Sequence, residues 1–199
     1  MITFALAVFF LIITPGPGVL SAAGVGAAFG RKAGLAYVSG LLIGNNLVSL
    51  IVITGLAALI LSAPIVRVIL FALSTAYLGY LAFRIAFAGA QIAFITSAMR
   101  PGLRSGIFLQ LVNPKAYAVN SALFSSFAFM PHSYYGEVFI KMAIFNAIWI
   151  PLHLLWLEAG IQLQKIALSD KATKRVNYAM ASALVMVVFL SVISMIQLT

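Results

Sequence analysis

The sequence predicts an all-α membrane protein of six transmembrane helices, and three observations carry that prediction. Of its 199 residues, 64% are hydrophobic and 8% charged, with a mean hydropathy of +1.15; a soluble domain is roughly 45–50% apolar and about 25% charged. The apolar residues gather into six runs, each close to the ~20 residues that a helix needs to cross a ~30 Å hydrocarbon core. These runs lack two-residue alternation, so of the two ways to satisfy every backbone hydrogen bond in lipid they select the helix over the closed barrel.

The first run, Ile2 to Gly24, contains "IITPGPGVLS", in which Pro15 and Pro17 flank Gly16. A cleaved signal peptide would begin with basic residues and keep its apolar region free of proline, so a spanning helix interrupted near its middle is expected. The second run, Leu35 to Leu61, carries Asn45, Asn46 and the spacing Gly40 to Gly44, which suits close helix approach within one chain or at a homodimer face. In the third, Val66 to Ala88, Arg67 and Arg84 are 17 residues apart, ~25 Å of helix, placing one guanidinium at each interface. The fourth, Ser105 to Phe129, holds Gln110, Asn113, Pro114, Lys115 and Asn120; the fifth, Val138 to Gln164, holds Asn146, Pro151, His153 and Glu158. Val176 to Leu198 forms the sixth. The connections are short enough for one membrane domain over residues 1–199.

Basic residues orient the bundle. Lys and Arg number 12 against 3 acids, and nine of the basic residues fall in the first, third and fifth connections. Cytoplasmic loops collect Lys and Arg, so both termini are expected on the periplasmic side of a bacterial inner membrane. Scattered between apolar runs, the charges form no nucleic-acid groove. The absence of Cys excludes disulfides and thiolate metal sites.

Lys115 is the exception to this distribution. It lies eleven residues beyond Arg104, ~16 Å of helix, and an ammonium at such depth costs between about 2.5 and well over 10 kcal/mol unless it finds a partner, a cavity or a snorkelling route. Asn113 and Pro114 beside it favour a cavity, because proline frees a carbonyl and unwound backbone persists in lipid only inside protein.

Pro15 and Pro114 are 99 positions apart, so the broken helix of the first half recurs in the second. Three spans per half make the halves an inverted-topology pair, repeat A over about residues 1–92 and repeat B over about 100–199. Paired interrupted spans point to the substrate site of a secondary transporter, against the alternative of two ordinary proline kinks. The expected substrate-binding residues are Pro15, Gly16, Pro17, Asn113, Pro114 and Lys115. Amides around Gly16 and Pro17 would face a carboxylate; the Asn113 side chain and carbonyls near Pro114 would receive an ammonium. Glu158 lies ~10 Å of helix from Lys165, at a depth overlapping that of Lys115, and is expected to pair with it. Glu158 and His153 are the proton-coupling candidates, His153 having packing against a tryptophan as its alternative role. Asn46, Asn120 and Asn146, with Asn45 and Gln110, are expected to hydrogen-bond between helices in support.

His132 and His153 are isolated, Glu137, Glu158 and Asp170 are scattered, and no HExxH or GxSxG pattern occurs. That argues against an enzyme, and neither a metal centre nor a cofactor is expected.

Five segments resemble the lysine-exporter and homoserine/threonine-resistance family of bacterial amino-acid exporters: "TPGPG" (Thr14 to Gly18), "GRKAGL" (Gly30 to Leu35), "GLLIG" (Gly40 to Gly44), "AYLGYLAFR" (Ala76 to Arg84) and "LVNPKA" (Leu111 to Ala116). They run in the family's order across nearly the whole chain. The resemblance implies proton-driven efflux of an amino acid or derivative by antiport, with an amino acid, protons and the lipid bilayer as partners. Two departures are visible: members commonly carry Asn where this chain has Gly18, and an Asp in the fifth span where this chain has Pro151, His153 and Glu158. A metal exporter of the same superfamily, and a channel or scaffold, are the alternatives.

Overall fold

A computed structural model describes residues 1–14, 16–56, 63–87, 100–130 and 132–165, together with 171, 174, 175, 177–179, 181–183, 185, 186 and 189. Pro15, Asp170, most of the sixth run and the end of the second lie outside these residues. Among the described residues the elements are α1 (Ile2–Ile13), α2 (Pro17–Ile53), α3 (Pro64–Ala86), α4 (Leu103–Val112), α5 (Pro114–Ser126) and α6 (Tyr134–Lys165).

Proline starts three of these helices, Pro17, Pro64 and Pro114 each standing in the first turn, where its missing N–H has no intrahelical acceptor in any case. The first span is divided between α1 and the beginning of α2, and the fourth between α4 and α5. Gly30, with φ 77 and ψ −177, interrupts α2. Only glycine enters that region without strain, so the chain turns there from a first limb, 17–29, into a second, 31–53, without a loop. α2 and α6 are long and apolar enough to cross a bilayer.

Close backbone contacts fix the crossings. A Cβ on Gly40 would lie 2.0 Å from the Leu103 carbonyl oxygen, and one on Gly106 2.2 Å from that of Tyr37. The Gly40 to Gly44 spacing therefore serves a contact within the chain, between α2 and α4. Gly160 of α6 meets Ala23 of α2 in the same way, at 2.0 Å. Moving along the second limb, Gly40 meets Leu103, Gly44 meets Ile107 and Ser49 meets Asn120, so this limb runs parallel to α4 and α5. Gly18 meets His153 and Gly26 meets Leu157, so the first limb runs parallel to α6.

Asn46 of α2 and Asn146 of α6, 100 positions apart, exchange side-chain hydrogen bonds of 3.0 and 2.9 Å. Each also donates to the carbonyl four residues earlier, Leu42 or Met142. A reciprocal amide pair satisfies both groups without water, which suits lipid depth. At the start of α6, Glu137 accepts from buried Lys141 at 2.9 Å and from the backbone amides of Phe129 and Met130.

Candidate substrate cavity

The two helix interruptions face one another. Thr14 closes α1 with φ −59 and ψ 123, and Gly16 opens α2 in extended backbone. Asn113, at φ −81 and ψ 107, separates α4 from α5 and caps α5 with its own side chain, its Oδ1 accepting from the Lys115 amide at 3.1 Å. Lys115 then reaches across, its Nζ donating to the Thr14 carbonyl at 3.0 Å. That carbonyl ends a helix and carries its negative dipole, a favourable seat for a cation. Gly16 makes the approach feasible, since a Cβ there would lie 2.8 Å from the Lys115 Nζ.

A cavity of about 50 Å³ lies between the interruptions. Gly16, Pro17, Asn113, Lys115, Asn120 and His153, all singled out in the sequence, line it. Pro114 stands in the interruption and is exposed, outside the lining. Thr14, Asn45, Gln110 and Trp149 also line the cavity. Of these, Thr14 carried no role of its own in the sequence reading, although the end of a helix broken at proline is where carbonyls lose their helical donors.

Polar side chains on one wall form a connected set. Asn113 Nδ2 donates to Gln110 Oε1 at 3.0 Å, Gln110 Nε2 to Asn45 Oδ1 at 3.4 Å, and Asn120 Nδ2 to Asn45 Oδ1 at 3.3 Å. Ser49 donates to Asn120 Oδ1 at 2.6 Å. Two donors converge on Asn45 Oδ1, which fixes the orientation of that amide. Its Nδ2 is left buried and without a hydrogen-bond partner among the described residues, a costly state for a polar group.

On the opposite wall His153 stacks on Trp149, ring centroids 3.5 Å apart and 12° from parallel, with Nδ1 3.0 Å from the Trp149 carbonyl. Packing against tryptophan, the alternative for this residue, is thus present together with a place at the cavity.

One expectation is corrected. Glu158 does not pair with Lys115; it accepts from Arg31 at 2.6 Å and from Gln162 at 2.5 Å, because the first limb of α2 turns at Gly30 and delivers Arg31 to α6. Asn113 Oδ1 caps α5 with one of its two lone pairs, and the carbonyl that holds the Lys115 ammonium belongs to Thr14. Asn46 and Asn146 bond each other rather than the cavity network, whereas Asn120 belongs to it.

Every described element is a helix, two of them are long and apolar enough to cross a bilayer, and the cavity between the interruptions is lined by polar and apolar side chains, the make-up of a membrane protein. This chain belongs to the LysE type translocator family, whose family model matches residues 9–195. It is 28% identical over 171 residues to an uncharacterized membrane protein of Pseudomonas aeruginosa, covering 81% of this chain and 79% of that one. It is also 28% identical over 148 residues to a leucine efflux protein of Enterobacter sp. strain 638, covering 71% of this chain and 69% of the relative. No solved structure matches.

Proposed function

We propose that this protein is a secondary carrier that exports a neutral amino acid or close derivative across the bacterial inner membrane in exchange for protons, with the cavity between the two interruptions as its substrate site. The observation that carries this reading is the bond from Lys115, at one interruption, to the Thr14 carbonyl at the other. The α2 amides after Pro17 have no intrahelical acceptor, so carboxylate-seeking and ammonium-seeking groups stand side by side. Export, rather than import, rests on the family and on the leucine efflux relative.

An inverted repeat of spans one to three and four to six accounts for several contacts. Gly16 and Lys115, 99 positions apart, touch; Asn46 and Asn146, 100 apart, exchange hydrogen bonds. Residues at nearly corresponding places in the two halves would then meet across a pseudo-two-fold axis, and rocking of the halves about it gives alternating access. For proton coupling, His153 is the candidate at the cavity. Glu158, ion-paired with Arg31, is the candidate at the cytoplasmic end.

The test is counterflow of radiolabelled leucine in proteoliposomes with an imposed pH gradient, with other amino acids and divalent metals as competitors. Exchange stimulated by the gradient and competed by neutral amino acids is expected. Competition by metals alone, or no accumulation in either direction of the gradient, would overturn the reading.

A further inference from the structure

A cavity of about 50 Å³ has room for a few water molecules at the ~10–15 Å³ each requires, and Lys115 occupies the seat at the Thr14 carbonyl beside it. Three features meet there. The Lys115 ammonium has no acidic partner among the described residues, its Nζ resting on the Thr14 carbonyl. The glycine beside it leaves room for nothing larger than its own hydrogen. Asn45 presents a buried donor with no hydrogen-bond partner among the described residues. The remaining wall is apolar where Leu11, Val19, Val119 and Phe145 contribute.

Resting on the export reading above, we propose that Lys115 is a built-in stand-in for the ammonium of the cargo. In the unloaded carrier its Nζ occupies the Thr14 carbonyl. An incoming zwitterion inserts between the two, its ammonium taking the carbonyl and its carboxylate taking the released Nζ. The Asn45 amide supplies a further donor for an acceptor on the cargo. The charge balance selects the substrate class. With the His153 imidazole neutral, the cavity carries one net positive charge before and after loading, and both the Lys115 ammonium and the two poles of the cargo have partners. An amine lacking the carboxylate would set two ammonium groups against one carbonyl, and an acid lacking the ammonium would leave Thr14 unpaired at lipid depth. A second cation on the cargo side chain would meet an apolar wall. The class is therefore α-amino acids with both backbone poles free and an uncharged side chain, and the tether to Thr14 re-forms whenever the site is empty.

Trp149 lines the cavity and the chain has only one other tryptophan, so fluorescence of a Trp156→Phe protein in nanodiscs reports occupancy. Titrations with leucine, leucinamide, which lacks the carboxylate, and N-acetylleucine, which lacks the ammonium, are run on this protein and on its Lys115→Met form. Leucine is expected to bind most tightly. Lys115→Met is expected to weaken leucine ~10- to 100-fold, the scale of a lost charge-assisted hydrogen bond, and to tighten leucinamide, whose ammonium no longer competes for Thr14. Unchanged leucine affinity in Lys115→Met, or leucinamide and N-acetylleucine binding as well as leucine does in the parent, would overturn the proposal while leaving export intact. Should Lys115→Met fail to fold, the ligand order in the parent protein decides. A parent that transports and binds no amino acid would instead bring down the export reading, and this inference with it.

Discussion

Replacing Gly16 with alanine isolates the contact between the two interruptions. Gly16 sits at φ −159 and ψ 179, extended backbone open to any residue, so the substitution strains nothing locally. The new methyl would lie 2.8 Å from the Lys115 Nζ and 3.0 Å from its Cδ, whereas ordinary contact begins at 3.4 Å. Nζ must therefore shift by about 0.6 Å, and a shift away from Thr14 takes its 3.0 Å bond to that carbonyl to the ~3.5 Å at which such a bond ends. That bond belongs to the unloaded carrier, so its loss weakens the fold by ~1.5–3 kcal/mol and lowers the thermal transition by about 2–4 °C per kcal/mol. The methyl also occupies space that cargo needs, and overpacking of ~1–3 kcal/mol is at least ~5-fold in an equilibrium constant. Gly16→Ala is expected to fold, with a lowered but cooperative thermal transition in detergent, and to lose at least ~5-fold in leucine affinity and counterflow. Wild-type transport by a folded Gly16→Ala protein would refute the contact and the reasoning built on it.

Gly160→Ala forces a methyl to 2.0 Å from the Ala23 carbonyl oxygen, so α2 and α6 must part, at ~1–3 kcal/mol and about 2–4 °C of melting temperature per kcal/mol. Gly79→Ala, with open space around it in α3, is its control and gains ~0.5–1 kcal/mol of helix propensity; a melting scan of both reads the contrast, and equal shifts contradict it. Glu158→Gln removes an ion pair whose side chains are 58% and 34% exposed, so its stability cost stays below ~1 kcal/mol, while the pH dependence of counterflow between about pH 5 and 8 flattens; an unchanged profile excludes Glu158 from the proton route.

Hydropathy made the apolar spans legible, because lipid imposes length and composition on each helix separately. Proline likewise marked both interruptions, since its missing N–H is a local property of the chain. Partners were harder to read. Lys115 bonds a backbone carbonyl, and a carbonyl leaves no trace in residue identity, so a search among side chains led to Glu158 at the matching depth. Arg31 reaches Glu158 only because Gly30 turns the chain within a single residue, a conformation that sequence permits without announcing. Gln110, Asn113 and Asn120 were each visible as polar residues in lipid. That their bonds converge to leave Asn45 Nδ2 alone depends on the register of α2 against α4 and α5, which the glycine contacts set.

The central claim is that cargo rests between the two facing interruptions, and substrate protection of a single cysteine there tests it most directly. The chain has no cysteine of its own, and Val119 lines the cavity and is partly buried. In Val119→Cys protein reconstituted in liposomes, leucine at saturating concentration is expected to slow labelling by a membrane-permeant maleimide at least several-fold, and complete labelling to stop counterflow. Labelling at the same rate with and without a transported amino acid, or transport that survives full modification, would place the cargo elsewhere.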